Sequence, residues 1–212
     1  VDIDLFDNSR FSNKSALKTR FGLEKQFVAM YLGAHGQYNS LNTIIEAAIE
    51  FRYDESITFV FVGDGEKKAH LKRLVSNEGL VNVFFYPPVK RIDAPEFLSM
   101  ADCFLLPNLA GDFFDGNLPN KVFDYLSSNR PIIVAGRVES ARLVEKINAG
   151  FIVDAEEPKQ LAEAVKRMRN LSQDERDQMG ERGGGYVRMN YSRKSQANLI
   201  VSVFERVIPV RQ

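Results

Sequence analysis

Cysteine is nearly absent from this 212-residue chain: the single one, Cys103, lies inside the apolar run Cys103-Phe-Leu-Leu106. One thiol excludes an intrachain disulfide, and its surroundings mark a small buried hydrophobe. A cytoplasmic setting is the expectation. An excess of charge of either sign is also missing, since Lys+Arg and Asp+Glu both number 28. That balance argues against a dedicated nucleic-acid binder, which shows a basic excess. No apolar stretch approaches the ~20 residues of a membrane span. No signal-peptide layout, internal repeat or low-complexity segment is present. Histidine is scarce, with only His35 and His70. An initiating Met is lacking too: the chain opens on Val1, which suggests a processed product or a piece of something longer.

What is present supports a sizeable core, with 44% hydrophobic residues. Short apolar runs alternate with segments of helical spacing. Strands are expected at Phe27–Leu32, Ile57–Val62, Asn82–Phe85, Asp102–Leu106, Pro131–Val134 and Phe151–Val153. Helices are expected between them, as in the spacing of Leu41, Ile44, Ile45, Ala48 and Ile49. Such alternation implies βαβ units with right-handed crossovers, hence an α/β, doubly wound, mainly parallel Rossmann-like sheet with helices on both faces. After Pro158 the chain reads as a helical tail over 158–212, with helices at Ser172–Asn190 and Ser192–Ile208. The stripe Leu199, Val203, Val207 predicts core packing. The run Gly183-Gly-Gly185 predicts a helix end or kink.

Ligands bind such sheets beyond the carboxyl ends of the strands. Three turns fall there: Gly33–Gly36, Gly63–Gly65 and Asn108–Pro119. In the third, Gly116, Asn117 and Pro119 mark a turn, with proline entering a helix at its first position. Free N–H groups at a helix start attract anions. Lys121 adds a cation in that first turn, and Asp124 lies one turn beyond Asn120. An anion seat, a lysine and a carboxylate acceptor together suit a nucleoside diphosphate, while a capped surface helix with ordinary charges explains the same residues. His35 is either a phosphate contact or a solvent-facing turn residue. His70 reads as surface. Asp64 either meets ligand or caps the helix starting near Gly65. Asp112 and Asp115, beside Phe113 and Phe114, either line a pocket or decorate a lip. Asp2-Ile-Asp4 matches a metal-binding pattern, but two carboxylates alone make a poor cation site, and no metal or other cofactor is expected.

Taken in order, the motifs resemble the carboxyl-terminal half of the retaining glycosyltransferases of family four, enzymes of GT-B architecture. Val1-Asp-Ile-Asp-Leu-Phe6 is similar to the family's interdomain segment, so that 1–15 reads as linker. Val62-Gly-Asp-Gly65, Ala101-Asp-Cys-Phe-Leu-Leu-Pro107, Pro119-Asn-Lys-Val-Phe-Asp-Tyr125 with Arg130-Pro131, and Ala149-Gly150 match further segments. The resemblance covers nearly the whole chain. It implies one nucleotide-sugar-binding domain over 1–212, with the acceptor-binding half lying before Val1. It implies transfer of a hexosyl or acetamidosugar unit from a nucleoside diphosphate, UDP by preference, to a saccharide or lipid-linked saccharide, in surface polysaccharide biosynthesis. Peripheral membrane association of the full-length protein follows from the same resemblance.

The carry-over is uneven. The family has two glutamates separated by seven residues; the second, which holds the ribose, falls on Asp124, one methylene shorter, and the first falls on Gly116. Sugar contacts then pass to backbone N–H groups of Asn117, Leu118 and Asn120. The family's Arg and Lys after the first strand are also missing, since Gly33 is followed by Ala34 and His35. His35 and Lys121 remain for the diphosphate, with Gly33, Gly36, Gly63 and Asp64 around them. Lys90 and Arg91, after Pro87-Pro88, fall where the family places the nucleobase. Two rival readings stay open. A dinucleotide-binding oxidoreductase domain needs Gly-x-Gly-x-x-Gly after the first strand, which Gly33 and Gly36 do not supply. A degenerate, non-catalytic nucleotide- or partner-binding module fits the replaced residues.

Overall fold

Six apolar runs become six parallel strands, the inner ones buried on both faces and the edge strands β3 and β6 only partly, each separated from the next by a helix long enough for a crossover. The structure, a computed structural model, describes residues 2–6 and 14–207. Part of the linker expected over 1–15, Val1 itself, and the expected helix end at Ile208 lie outside the described residues. The elements run α1 (Lys14–Arg20), β1 (Phe27–Leu32), α2 (Leu41–Ile49), β2 (Ile57–Val62), α3 (Lys68–Asn77), β3 (Val83–Tyr86), α4 (Ala94–Ser99), β4 (Cys103–Pro107), α5 (Asn120–Ser127), β5 (Ile132–Ala135), α6 (Glu139–Lys146), β6 (Gly150–Val153), α7 (Pro158–Asn170), α8 (Gln173–Tyr191) and α9 (Arg193–Val207). The strand order is β3-β2-β1-β4-β5-β6. This is the doubly wound Rossmann-like sheet that the sequence predicts.

Successive strand residues point to opposite faces. Phe27, Ala29 and Tyr31 of β1 therefore join Phe59, Phe61, Cys103 and Leu105 in a core covered by α2, α3 and α7. Val28 and Met30 join Val60, Phe104, Leu106, Ile132 and Val134 under α1, α4, α5 and α6. At the amino end of the sheet, Asp102 accepts from Lys18 Nζ at 2.5 Å and from the Val28 N–H at 2.8 Å. That carboxylate, expected inside a strand, precedes β4 and ties α1 to β1.

Two expectations about the tail are overturned. The apolar stripe of α9 does not pack into the core: Leu199, Val203 and Val207 are 56%, 51% and 71% exposed. Periodicity marks an apolar face but does not say what covers it. The glycine run does not break a helix either, since α8 continues through it to Tyr191. Gly183 and Gly184, with Gly180 before them, serve close approach. A Cβ on Gly180 would lie 2.1 Å from the Asn129 carbonyl oxygen, and one on Gly183 would lie 2.7 Å from Leu126 Cδ2. Gly185 faces open space.

These surroundings predict opposite signs for one substitution. Gly180→Ala, which must push backbone away, destabilises the fold by about 1–3 kcal/mol. Gly185→Ala stabilises it by about 0.5–1 kcal/mol, the ordinary helix-propensity gain. Urea unfolding of both variants checks this, and equal effects would contradict the close-approach account.

Candidate functional site

In this strand order the winding direction reverses between β1 and β4, which opens a crevice at their carboxyl ends. The two strands pair only at Ala29↔Cys103 and Met30↔Phe104. Beyond that they part, and Tyr125 of α5 fills the gap. Its hydroxyl accepts from the Leu32 N–H at 2.9 Å and donates to the Leu32 carbonyl at 2.8 Å. The ring is fully buried and stacks on Phe104 at a centroid distance of 4.2 Å. Tyr125 thus holds the start of α5 over the crevice.

Lys121 reaches from that start across to the loop after β1. Its ammonium donates to Tyr31 Oη at 2.6 Å and to Asn39 Oδ1 at 3.0 Å, and lies 4.5 Å from the Tyr31 ring centroid. Tyr31 Oη and Asn39 Nδ2 both donate in turn to the Ala34 carbonyl, at 2.8 and 3.0 Å. This closed ring of contacts fixes the ammonium and the loop together. Gly33 leaves the room: a Cβ there would stand 3.2 Å from Lys121 Nζ and from Tyr31 Oη. Burial lowers the Lys121 pKa to about 8.

His35 is not a solvent-facing turn residue. Its ring is fully buried and borders Tyr31, Phe61 and Phe85 at 6.0–6.2 Å between centroids. Neither ring nitrogen has a hydrogen-bond partner among the described residues. Burial first, then the neighbouring charge of Lys68, pushes its pKa down to about 4, so the ring is neutral. The backbone explains the inward turn. The His35 N–H donates to the Asp64 carbonyl, and its own carbonyl accepts from Lys67, so the loops after β1 and β2 grip each other. Gly63 and Gly65, at φ +142° and +153°, permit this grip: their Cβ atoms would stand 2.0 Å from the Gly33 oxygen and 2.6 Å from the His35 oxygen. Gly63 is therefore a packing glycine. Asp64 does not cap α3, which starts at Lys68 behind Lys67; its carboxylate accepts from the Gly65 N–H at 2.8 Å. Gly36 precedes a 3-10 turn over Gln37–Asn39.

The loop before α5 is pinned by amides. Asn117 Nδ2 donates to buried Asn108 Oδ1 at 2.8 Å. The Asn117 N–H donates to the Phe114 carbonyl at 2.8 Å, so it is already committed. Pro119 is the extended residue before the helix (φ −71°, ψ 148°) rather than its first member, and α5 begins at Asn120. Gly116 is exposed with open space around it, and Leu118 is half-buried against the core. Asp115 turns away to pair with Arg142 of α6, and Phe113 is 90% exposed. The Asp112 side chain lies outside the described ones.

Asp124 points to a different loop from Lys121. Its two oxygens accept from Arg91 Nη1 at 2.5 Å and Nη2 at 2.7 Å. The pair borders a cleft of about 550 Å³ lined also by Asn120, Phe123, Tyr191 and Arg193. Lys90, next to Arg91, is exposed, and its carbonyl accepts from the Asp93 and Ala94 N–H groups at the start of α4. Asp2 pairs with Arg193 at 3.1 Å, and the Asp4 side chain is not among those described. Among the described residues no group of three or more His, Cys, Asp and Glu side chains stands together as a metal site. Sequence reasoning missed the service of Tyr31, Asn39 and Tyr125 to this edge. Only Tyr125 carried a signal, as the last residue of the Pro119–Tyr125 motif.

A neutral buried histidine makes stability depend on pH. Below about 6.5 the unfolded chain binds the proton, whereas the folded chain does not until about 4. The folded state therefore loses stability as pH falls through that window, by at most about 1.4 kcal/mol per pH unit from this group. Urea unfolding between pH 4 and 7 will show a flatter profile for His35→Phe than for the parent; parallel profiles would contradict the assignment.

Residues 13–184 match the family described as glycosyl transferases group 1. The chain is 31% identical over 147 residues to the "Putative colanic acid biosynthesis glycosyl transferase WcaI" of Escherichia coli (strain K12), across 68% of this chain and 36% of that protein. Its fold is similar to Anabaena Alr3699/HepE solved with UDP and glucose, with TM-score 0.81 and 18% identity over 96% of this chain and 54% of that one. It is also similar to the C-terminal domain of the glycosyl transferase group 1 family protein LpcC of Francisella tularensis, with TM-score 0.74 and 16% identity over 91% of this chain and 99% of that one. The chain spans about a third to a half of the length of the curated relatives it matches. With the match extending over most of its residues, this chain belongs to the group 1 glycosyl transferases.

Proposed function

We propose that this chain is the donor-binding half of a retaining glycosyltransferase of family four, which moves a sugar from UDP to an acceptor hydroxyl in surface polysaccharide assembly. The observation that carries the reading is the convergence of the α5 start and the Lys121 ammonium at the mouth of the β1/β4 crevice. The name of the Escherichia coli relative and the UDP bound to the Anabaena protein favour this donor and pathway. The acceptor, a saccharide or lipid-linked saccharide, then meets a second half outside this chain, and that half brings the full-length protein to the inner face of a membrane. Alone, the chain binds nucleotide without transferring sugar.

The chemical need is to stabilise the departing diphosphate. The N–H groups of Asn120 and Lys121 stand in the first helical turn, where no intrahelical acceptor exists, and they point at incoming charge. Lys121 adds a cation from a partly desolvated position, where it acts more strongly than a fully hydrated one. Asp124 anchors the ribose and fixes donor position. With the Asn117 N–H committed to Phe114, the N–H groups of Leu118 and Asn120 are the sugar contacts that remain from the expected set. Backbone and ammonium serve this electrostatic role without a metal.

Titration calorimetry with UDP, GDP and NAD tests the reading. UDP binding in the micromolar range, abolished by Lys121→Ala and weakened by Asp124→Ala, is the expected result. NAD binding alone would favour an oxidoreductase domain, and silence toward all three a non-catalytic module. The pH profile adds a sign. Diphosphate binds the charged ammonium, whose pKa is about 8 in the free protein. UDP affinity is therefore highest below about pH 8 and falls above it by up to about tenfold per unit, with proton uptake. Lys121→Arg, charged throughout, removes that fall.

A further inference from the structure

Asp124 is not free to meet a ligand. One guanidinium covers both of its oxygens end-on, at 2.5 and 2.7 Å. The carboxylate is only 14% exposed, while the Arg91 side chain that covers it is 52% exposed. The two groups come from different elements, α5 and the loop between β3 and α4, and they meet at the wall of the 550 Å³ cleft. We propose that Arg91 is a displaceable counter-ion that closes this subsite: it holds Asp124 in the unliganded domain, and the 2′,3′-diol of a ribonucleoside diphosphate takes its place. The inference rests on the reading of Asp124 as the ribose acceptor.

The geometry favours exchange over shared binding. A guanidinium fork and a vicinal diol both present two donors at similar spacing, so they compete for the same in-plane lone pairs of one carboxylate. Aspartate is too short to reach beyond its counter-ion and offer the outer lone pairs. Arg91, being half in solvent on a flexible stem, can turn into the cleft without any movement of β3 or α5. The exchange has a moderate cost: Arg91 is half in solvent, but the contact is bidentate and its carboxylate mostly covered, so the pair is stronger than an ordinary surface ion pair. Arg91 is thus a positioning residue, acting on the ribose through Asp124.

The test compares UDP with 2′-deoxy-UDP, which share the base and the diphosphate, so that only the diol differs. Calorimetry on the parent chain, Arg91→Gln and Arg91→Lys gives three affinity ratios. In Arg91→Gln the freed carboxylate tightens UDP by about fivefold or more and 2′-deoxy-UDP, which keeps only the 3′-hydroxyl, by less, so the ratio widens. Arg91→Lys, a point charge without the fork, falls between. In an Asp124→Asn background Arg91→Gln no longer changes the ratio, because the two residues act as one unit. A ratio that stays constant or narrows in Arg91→Gln overturns the exchange and makes Arg91 a supporting ribose contact. Absence of UDP binding to every variant and to the parent removes the donor reading itself, and the exchange with it. Parent-like melting of Arg91→Lys separates either outcome from misfolding.

Discussion

The hydroxyl of Tyr125 settles a problem that a doubly wound sheet cannot avoid. Where winding reverses, neighbouring strands must part, and the backbone groups along the opened edge lose their ladder partners. Here the loss falls on Leu32, the last residue of β1, and one phenol replaces both missing bonds. An unpaired buried N–H or carbonyl costs about 1–3 kcal/mol, so the tyrosine is worth more than its packing area. It also sits within α5, four residues after Lys121. Satisfying the strand therefore fixes the helix, and fixing the helix sets its first turn at the mouth of the crevice. The stability of the sheet and the placement of the candidate site come from one contact.

The loops around that mouth are held by one another. Gly63 and Gly65 let the turn after β2 press onto Gly33 and His35, and Asn117 locks the loop before α5 onto Asn108. His35 is the consequence of this tightness: a ring driven under the loop, neutral and without a hydrogen-bond partner among the described residues. Lys121 is the counterpart on the outer side, its ammonium held by hydrogen bonds to Tyr31 and Asn39. A rigid edge of this kind suits a site whose work is electrostatic, because donors fixed in advance need not reorganise when charge develops.

The sheet was legible because its information is local. A run such as Ile57–Val62 has strand chemistry, and a glycine turn punctuates it. Right-handed crossovers then leave few arrangements. The direction of individual side chains was not legible, because it depends on partners far along the chain. His35 stands in a glycine turn that reads as surface, yet a loop some thirty residues later buries it. The glycines of α8 read as breakers, since sequence does not distinguish a glycine needed for flexibility from one needed for approach. Asp124 was located by the Pro119–Tyr125 motif, but its guanidinium partner lies on another loop. The apolar stripe of α9 was visible and its exposure was not, because burial belongs to the assembly rather than to the helix.

The departures from the family pattern around the crevice share a physical logic. Cations on an exposed loop after β1 would hold a diphosphate weakly, since water and salt screen them. Ala34 and His35 stand there instead, and the Lys121 ammonium lies between Tyr31 and Asn39. A charge in a less polar setting attracts a dianion more strongly. The same setting pulls its pKa from the usual lysine range to about 8, close to the pH at which it must stay protonated. On the proposed donor-binding reading, this half-buried cation serves a diphosphate only within a limited pH range. That limit separates a relocated donor site from a degenerate one: a lysine packed for structure alone gains nothing from its charge, whereas one that receives a diphosphate takes up a proton on binding only near and above pH 8, where the free ammonium is partly deprotonated.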